Sequence, residues 1–542
     1  MNSLQNFYRF LIEILLVSMS ILAILVIFQS KGTDIGLFDL GKWRYVHIGD
    51  ASENIKNALF LAKGGKLNEY VTSNHMPGLY LYLSLFISFL PNDFYTNSLS
   101  NSVVILTFSS FVTIFTLVSL CFLSINLLLK EAITNIITKI VFFLVLLNLF
   151  LSFDYFRVLS ETYLPFIQLS YLSIFFYYLQ DSKNRFRFLV SAIYLVGFSI
   201  FFGLTNFFAD MIFLSLFAVF FLKEARKIRI IHILPAFLLI IFLSLKSGNF
   251  NYHYWIIETN KAQGLGSGIV MFENILGNIL YWPEKWYSPN AFGPIYDHQF
   301  YILLLGILCI YLKRKSLRSI LVLVICLFIL PLDSWRIQEQ GNVLGSQTYK
   351  TDVNMGVCFF FMLVVFQKFS IQIQRTLQIP FHKLNFEVNL YFYRFAMIVA
   401  FFILSFRVLS YITKFIEIER QVTINHSHWI SQENICKQKF IRPNDGCYCL
   451  ALMYWDQDFF LRNDVRPCVN QFAAYSPHLN SDERYLNLVK ESFLNGKAAY
   501  LLNRSDLNNE TSILNPKLID LFKSGKCKQV HEDYLFLCKN EK

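Results

Sequence analysis

FLIEILLVSMSILAILVIF, residues 10–28, carries a single charged residue, Glu13. A run of this length and apolarity is a candidate membrane span. The same texture recurs as far as SILVLVICLFIL at 319–330 and on to about residue 412. Apolar residues make up 55% of the chain, with 58 Phe and 29 Tyr, against 16% charged. Candidate spans fall at 7–28, 76–91, 101–128, 140–153, 162–179, 188–205, 207–222, 231–246, 299–312, 319–332, 353–367 and 391–412. In such a body, polar groups must face a cavity or other helices. The expected fold is therefore an all-α polytopic membrane protein over 1–412, followed at 413–542 by a soluble domain rich in Asn, Asp, Lys and Glu.

Basic short loops orient the spans. DSKNRFR at 181–187, KEARKIR at 223–229 and KRKSLR at 313–318 read as cytoplasmic. The loops 29–75 and 247–298, the residues around Asp154–Glu161 and the C-terminal tail then lie outside. An inside N-terminus and an outside C-terminus require an odd number of spans, so the expectation is 11 or 13. The implied location is an integral protein of a bacterial inner membrane, with its active site facing the periplasm. The net charge of +11 gathers at span ends, so it does not point to nucleic acid. There is no internal repeat, P-loop, dinucleotide fingerprint or HExxH motif.

Six cysteines, Cys436, Cys447, Cys449, Cys468, Cys527 and Cys538, lie in the tail. An even number in an outside domain predicts disulfides, in one of 15 pairings. In NDGCYCLALMYWDQDFFLRNDVRPC, residues 444–468, Tyr454, Trp455, Phe459 and Phe460 read as core, with Asp456 and Asp458 solvated.

The most informative polar stretch is WRYVHIGDASENIKNALFLAKGGKLNEYVTSNHMPGLYLYLSLF, residues 43–86. Ile55, Ala58, Leu59 and Ala62 recur on one helical face. The periodicity predicts an amphipathic helix over 53–63, lying along a membrane surface and ended by Lys63-Gly64-Gly65. Asp50 stands just before its start and Glu53 one turn later, as a cap and a dipole partner would. His75-Met76-Pro77-Gly78 leads into the next apolar run, with Pro77 suited to a first helical turn.

This arrangement resembles the first outside loop of the multi-spanning GT-C glycosyltransferases, the superfamily of protein O-mannosyltransferases and the aminoarabinose transferases of lipid A. The resemblance rests on Gly49-Asp50-Ala51, the helix after it, His75-Met76-Pro77-Gly78-Leu79-Tyr80, and Ser160-Glu161 with Pro165 beyond. The chain departs from the pattern in having Met76-Pro77 where two prolines are common. The resemblance implies a glycosyltransferase that moves a sugar from a polyprenyl-phosphate donor to a hydroxyl on a glycan, lipid or protein. It places Asp50 at the catalytic acidic position, and Asp154 or Glu161 at a second outside acidic position.

Such chemistry needs a base for the acceptor and positive charge for the departing phosphate. Asp50 is the candidate base. Asp154 is a second acid that orients the acceptor or a divalent cation, or else pairs with Arg157 one turn on, and Glu161 is a further candidate acid or the cap of the next span. For the phosphate, Arg336 ranks first because its guanidinium fork suits phosphate oxygens. Lys261 and His253 follow, then Lys285 and His75, with Glu53 as a further substrate contact. GLGSG at 264–268 reads as a movable flap, and Trp282 and Trp286 as interface anchors or sugar platforms. Two other functions fit the same composition. A transporter predicts paired halves, which the sequence lacks. A polymerase or ligase acting on lipid-linked polysaccharide shares the phosphate chemistry. Membrane lipids are the implied surroundings in all three.

Overall fold

A computed structural model describes residues 8, 11–23, 48–65, 77–91, 99–128, 143–144, 158–180, 185–203, 207–220, 222, 226–246, 356–357, 359–360, 363–364, 449–452, 498–501, 527–531 and 535–538. Its longer helices are α1 (Leu11–Ala23), α2 (Ile48–Ala62), α3 (Gly78–Ile87), α4 (Leu99–Leu128), α5 (Ser160–Gln180), α6 (Arg185–Phe202), α7 (Phe207–Phe220) and α8 (Ile230–Lys246). Strands β1 (Cys449–Leu452), β2 (Ala498–Leu501), β3 (Cys527–His531) and β4 (Leu535–Cys538) lie in the tail.

α4 to α8 fall where apolar runs predict helices, and their partners are largely one another. α5 packs along both α4 and α6, α2 packs along α3, and α6 also meets α3, α7 and α8. Hydroxyls tie the α4–α5 seam. Thr113 Oγ1 and Tyr163 Oη are 2.7 Å apart, and Ser124 Oγ is 3.4 Å from Ser170 Oγ. Thr113, Ser124 and Ser170 also donate to the carbonyl four residues back on their own helices. Such back-bonding satisfies a buried hydroxyl without a partner helix. Tyr82, Tyr163 and Phe202 form an aromatic cluster, with centroid separations of 5.1 Å for Tyr163–Phe202 and 5.6 Å for Tyr82–Phe202.

This packing corrects the expected architecture. Among the described residues one helical stretch, Thr107–Leu128, is long and apolar enough to cross a membrane, and half of its most apolar window is buried inside the protein. The described helices form a bundle packed on itself in place of the 11 or 13 spans. The GT-C architecture inferred from the loop resemblance and the integral, polytopic membrane location are overturned on the same ground. The physical reason is that an apolar run has two ways to leave water. Entering a bilayer is one and packing on other helices is the other, and the runs of α4, α5 and α7 take the latter through faces that include Ser109, Gln168 and Asp210, all buried. Length points the same way in α3, whose 10 residues fall short of the roughly 20 that a bilayer core demands.

α2 also departs from expectation. It begins at Ile48, five residues before the predicted start at 53. It is not a surface helix: Asn54, Lys56 and Asn57 are buried with Ile55, Ala58, Leu59 and Leu61. The end is as expected. Gly64 adopts φ +82°, Gly65 N–H donates to Phe60 O and Gly64 N–H to Leu61 O. This is a Schellman closure, which favours glycine at the left-handed position. Pro77 directly precedes α3, and its carbonyl accepts from Leu81 N–H at 3.0 Å.

Two glycines permit close approach. A Cβ on Gly78 would overlap the Phe201 carbonyl, so α3 meets the end of α6 backbone to backbone. A Cβ on Gly356 would overlap the Pro165 carbonyl, and Val357 N–H donates to Gln168 Oε1 at 3.1 Å. That segment docks beside Pro165, which interrupts the hydrogen-bond ladder inside α5.

The tail strands form one mixed sheet in the order β1-β2-β4-β3. β1 and β2 are parallel, while β4 runs antiparallel to both β2 and β3. Main-chain pairing sets Cys527 opposite Cys538. No disulfide occurs among the described residues, which corrects the expected disulfide-linked tail, and Cys121 is a free, buried thiol. Cys436, Cys447 and Cys468, and the expected core at Tyr454, Trp455, Phe459 and Phe460, lie outside the described residues.

Candidate functional site at the junction of two helices

α2 carries Asp50, Glu53, Asn54 and Asn57 at spacings of i, i+3, i+4 and i+7. Those spacings place all four on one face of the helix. Part of that stripe is buried, with Asn54 4% exposed and Asn57 fully enclosed. Asn54 Nδ2 donates to the carbonyl of Val158 at 2.8 Å. Val158 and Leu159 are buried and lead directly into Ser160 and Glu161, the first two residues of α5. One hydrogen bond therefore joins the two segments that carry the candidate acids, across 104 residues of chain.

The junction holds an imbalance. Neither Asn57 Nδ2 nor Asn57 Oδ1 has a hydrogen-bond partner, although both are buried. A buried amide left without partners is destabilising, so such a group calls for a ligand or a function. The start of α5 adds main-chain N–H groups that its own helix does not satisfy, at the positive end of its dipole. Lys56, buried on α2, has its Nζ 5.4 Å from the centroid of the Phe60 ring, a cation–π distance.

The structure places the sequence-derived candidates as follows. Asp50 is the third residue of α2, inside the first turn, so it is not the N-cap of a helix beginning at 53. It lies one turn, roughly 6 Å along the axis, from the Asn54 that reaches α5. Glu53 lies in the same stripe, and Glu161 is the second residue of α5. His75, Asp154, His253, Lys261, Lys285 and Arg336 lie outside the described residues. So do the flap at 264–268 and Trp282 and Trp286. Among the described residues no three His, Cys, Asp or Glu side chains converge as a metal site would require.

Sequence reasoning passed over Asn54 and Asn57, which read as the polar side of a surface helix. It also passed over Asp210, whose signal was available: a lone carboxylate in FFADMIFLSLFAVF. Asp210 is fully buried, and Tyr171 Oη donates to its Oδ1 at 2.9 Å. Its Oδ2 has no partner. Ser199 stands close enough to favour the charged form, but its hydroxyl makes no hydrogen bond of normal geometry. Burial pushes the Asp210 carboxyl up to about 7, against the opposing pull of Ser199 and Tyr171. Tyr171 is 11 residues beyond Ser160 on α5, so this carboxyl is roughly 16 Å along the helix from the α2 junction.

The chain matches no known protein family, no curated protein and no solved structure.

Proposed function

We propose that this protein is a glycosyltransferase that moves a sugar from a polyprenyl-phosphate donor to a hydroxyl of a glycan, lipid or protein, with Asp50 as general base. The observation that carries the reading is the Asn54–Val158 hydrogen bond, which brings the helix bearing Asp50 and Glu53 against the start of the helix bearing Glu161. A transferase of this kind needs a carboxylate, hydrogen-bond donors for a departing phosphate, and partial exclusion of water. The junction combines an acidic stripe, a buried amide with open donors and acceptor, and the N-terminal end of α5.

In the reaction, Asp50 accepts the proton of the acceptor hydroxyl. The acceptor oxygen forms a new bond to the anomeric carbon as the bond from that carbon to the phosphate oxygen breaks. The phosphate leaves with the electron pair, and the anomeric centre inverts. Main-chain N–H groups at the start of α5 and the Asn57 amide stabilise the developing charge. Glu161 orients the acceptor. Arg336, Lys261, His253, Lys285 and His75 are the cationic and imidazole groups proposed for the donor phosphate.

Asp50→Asn keeps the size of the side chain and removes its basicity. Turnover with a polyprenyl-phosphate sugar, read by mass spectrometry of the acceptor fraction, is expected to fall roughly 10²–10⁴-fold with donor affinity retained. Inside the first turn an Asn loses only a dipole contribution of about 0.3–1 kcal/mol, so folding survives the change. A variant that keeps more than about a third of wild-type turnover, where a lost general base removes orders of magnitude, removes Asp50 from the role.

A further inference from the structure

α8 presents large apolar side chains to the outside of the bundle. Ile231 is 68% exposed, Phe237 58% and Phe242 62%, and Ile230, Leu238 and Leu245 are exposed as well. Single exposed apolar residues are ordinary, but a helix that exposes them along its length marks an interaction surface. The root of this helix is basic. Arg226, Lys227 and Arg229 precede its first residue and are all exposed. Arg187, also exposed, lies on α6 beside Phe186, whose ring packs edge-on against His232 at a centroid distance of 5.0 Å.

The geometry holds these charges at one corner. Tyr194 Oη on α6 donates to the His232 carbonyl at 2.8 Å. Arg229 N–H donates to His232 Nδ1 at 3.0 Å, and His232 N–H to the Arg229 carbonyl at 2.9 Å. The first turn of α8 is thereby pinned to α6, with four cations around it. None of the four makes an ion pair with a carboxylate among the described residues. At 17 residues, with Pro235 inside it, α8 is about 25 Å long.

We propose that α8 and its basic root form a docking face for the surface of an anionic lipid bilayer, with the apolar side chains entering the acyl boundary and Arg187, Arg226, Lys227 and Arg229 meeting the headgroups. Charge complementarity selects this occupant over a second copy of the chain. In a parallel symmetric pair the four like charges of each root would face those of the other, and in an antiparallel pair they would stay unneutralised, whereas an anionic surface neutralises them. Apolar area and cationic charge act together in interfacial binding, and the electrostatic part is screened by salt. The inference does not rest on the transfer reaction, so failure of either leaves the other standing.

The test uses the purified full chain and co-sedimentation with vesicles of phosphatidylcholine, alone or mixed with phosphatidylglycerol. Partitioning is expected to rise with the anionic fraction and to fall at high salt, a comparison that needs no variant. The triple change Arg226→Glu, Lys227→Glu, Arg229→Glu is expected to weaken binding to anionic vesicles on the order of 100-fold. Phe237→Asn with Phe242→Asn is expected to lower binding to both vesicle types. Far-UV circular dichroism confirms that each variant keeps its helix content, and a variant that loses it leaves the wild-type lipid and salt dependence to decide. Equal binding to neutral and anionic vesicles, or no binding, overturns the proposal. So does concentration-dependent self-association that the two Phe changes abolish without any effect on vesicle binding.

Discussion

Asn57 and Asp210 are the two side chains whose surroundings fit them least. An enclosed amide with no partners destabilises the fold relative to an apolar residue of similar shape, because its hydrogen bonds to water are lost and not replaced. Asn57→Leu is therefore expected to leave stability unchanged or to raise it, while lowering transfer activity. Denaturant midpoints and turnover measured on one preparation decide this, and a loss of stability with full turnover places Asn57 in a structural role. Asp210 makes a claim about pH. Its folded value of about 7 stands above the ordinary carboxyl value of 3.8, so the folded state holds the proton more tightly. Its contribution to stability is present at low pH and declines as pH rises from about 4 through about 7, by up to roughly 1.4 kcal/mol per unit. Asp210→Asn is expected to flatten the fall in denaturant midpoint across that window. An undiminished fall in the variant assigns the dependence to other groups.

The helices meet where glycine allows it and where hydroxyls are shared. Gly78 on α3 faces the Phe201 carbonyl with no room for a methyl group. Gly78→Ala must push α3 off α6 and is expected to cost about 1–3 kcal/mol, as overpacking does. Gly197, on α6, has nothing within 4 Å of a Cβ. Gly197→Ala is expected to stabilise by roughly 0.5–1 kcal/mol through helix propensity alone. Thermal melts of the two variants should thus move in opposite directions, and a shared direction would show that the α3–α6 approach is not tight. α2 is held differently, by Asn54 reaching Val158 and by the Gly64 closure, so its stripe is fixed both at the middle and at the end.

α6 is the hub on which α3, α5, α7 and α8 converge. Phe202, near its end, is fully buried against Tyr163 and Tyr82, which come from α5 and α3. Phe202→Ala removes an aromatic ring shared by three helices and is expected to destabilise by about 3–5 kcal/mol. If the helices unfold as one unit, the transition stays single and shifts. Two resolved transitions in the variant would mean that α2 and α3 form a unit separable from α5 and α6.

Local features were legible in the chain. The apolar runs mark where α4 to α8 lie, because a continuous run of Leu, Ile, Val and Phe favours a helix in either solvent. Pro77 and Gly64-Gly65 mark a start and an end, because their backbone preferences act within a few residues. What an apolar run packs against is not a local property. Residues 162–179 read as a bilayer span, yet α5 meets α4 through Tyr163 and Ser170, α6 through Tyr163 and α7 through Tyr171, and among the described residues a single stretch keeps the length and apolarity of a span. The candidate site shows the same division. Asp50, Glu53 and Glu161 were singled out by residue type and position. That their helices touch depends on a hydrogen bond between residues 54 and 158, and the enclosure of Asn57 and Asp210 depends on helices that arrive from elsewhere in the chain. Spacing along a helix sets which residues share a face, and only the packing of several helices decides which faces lose water.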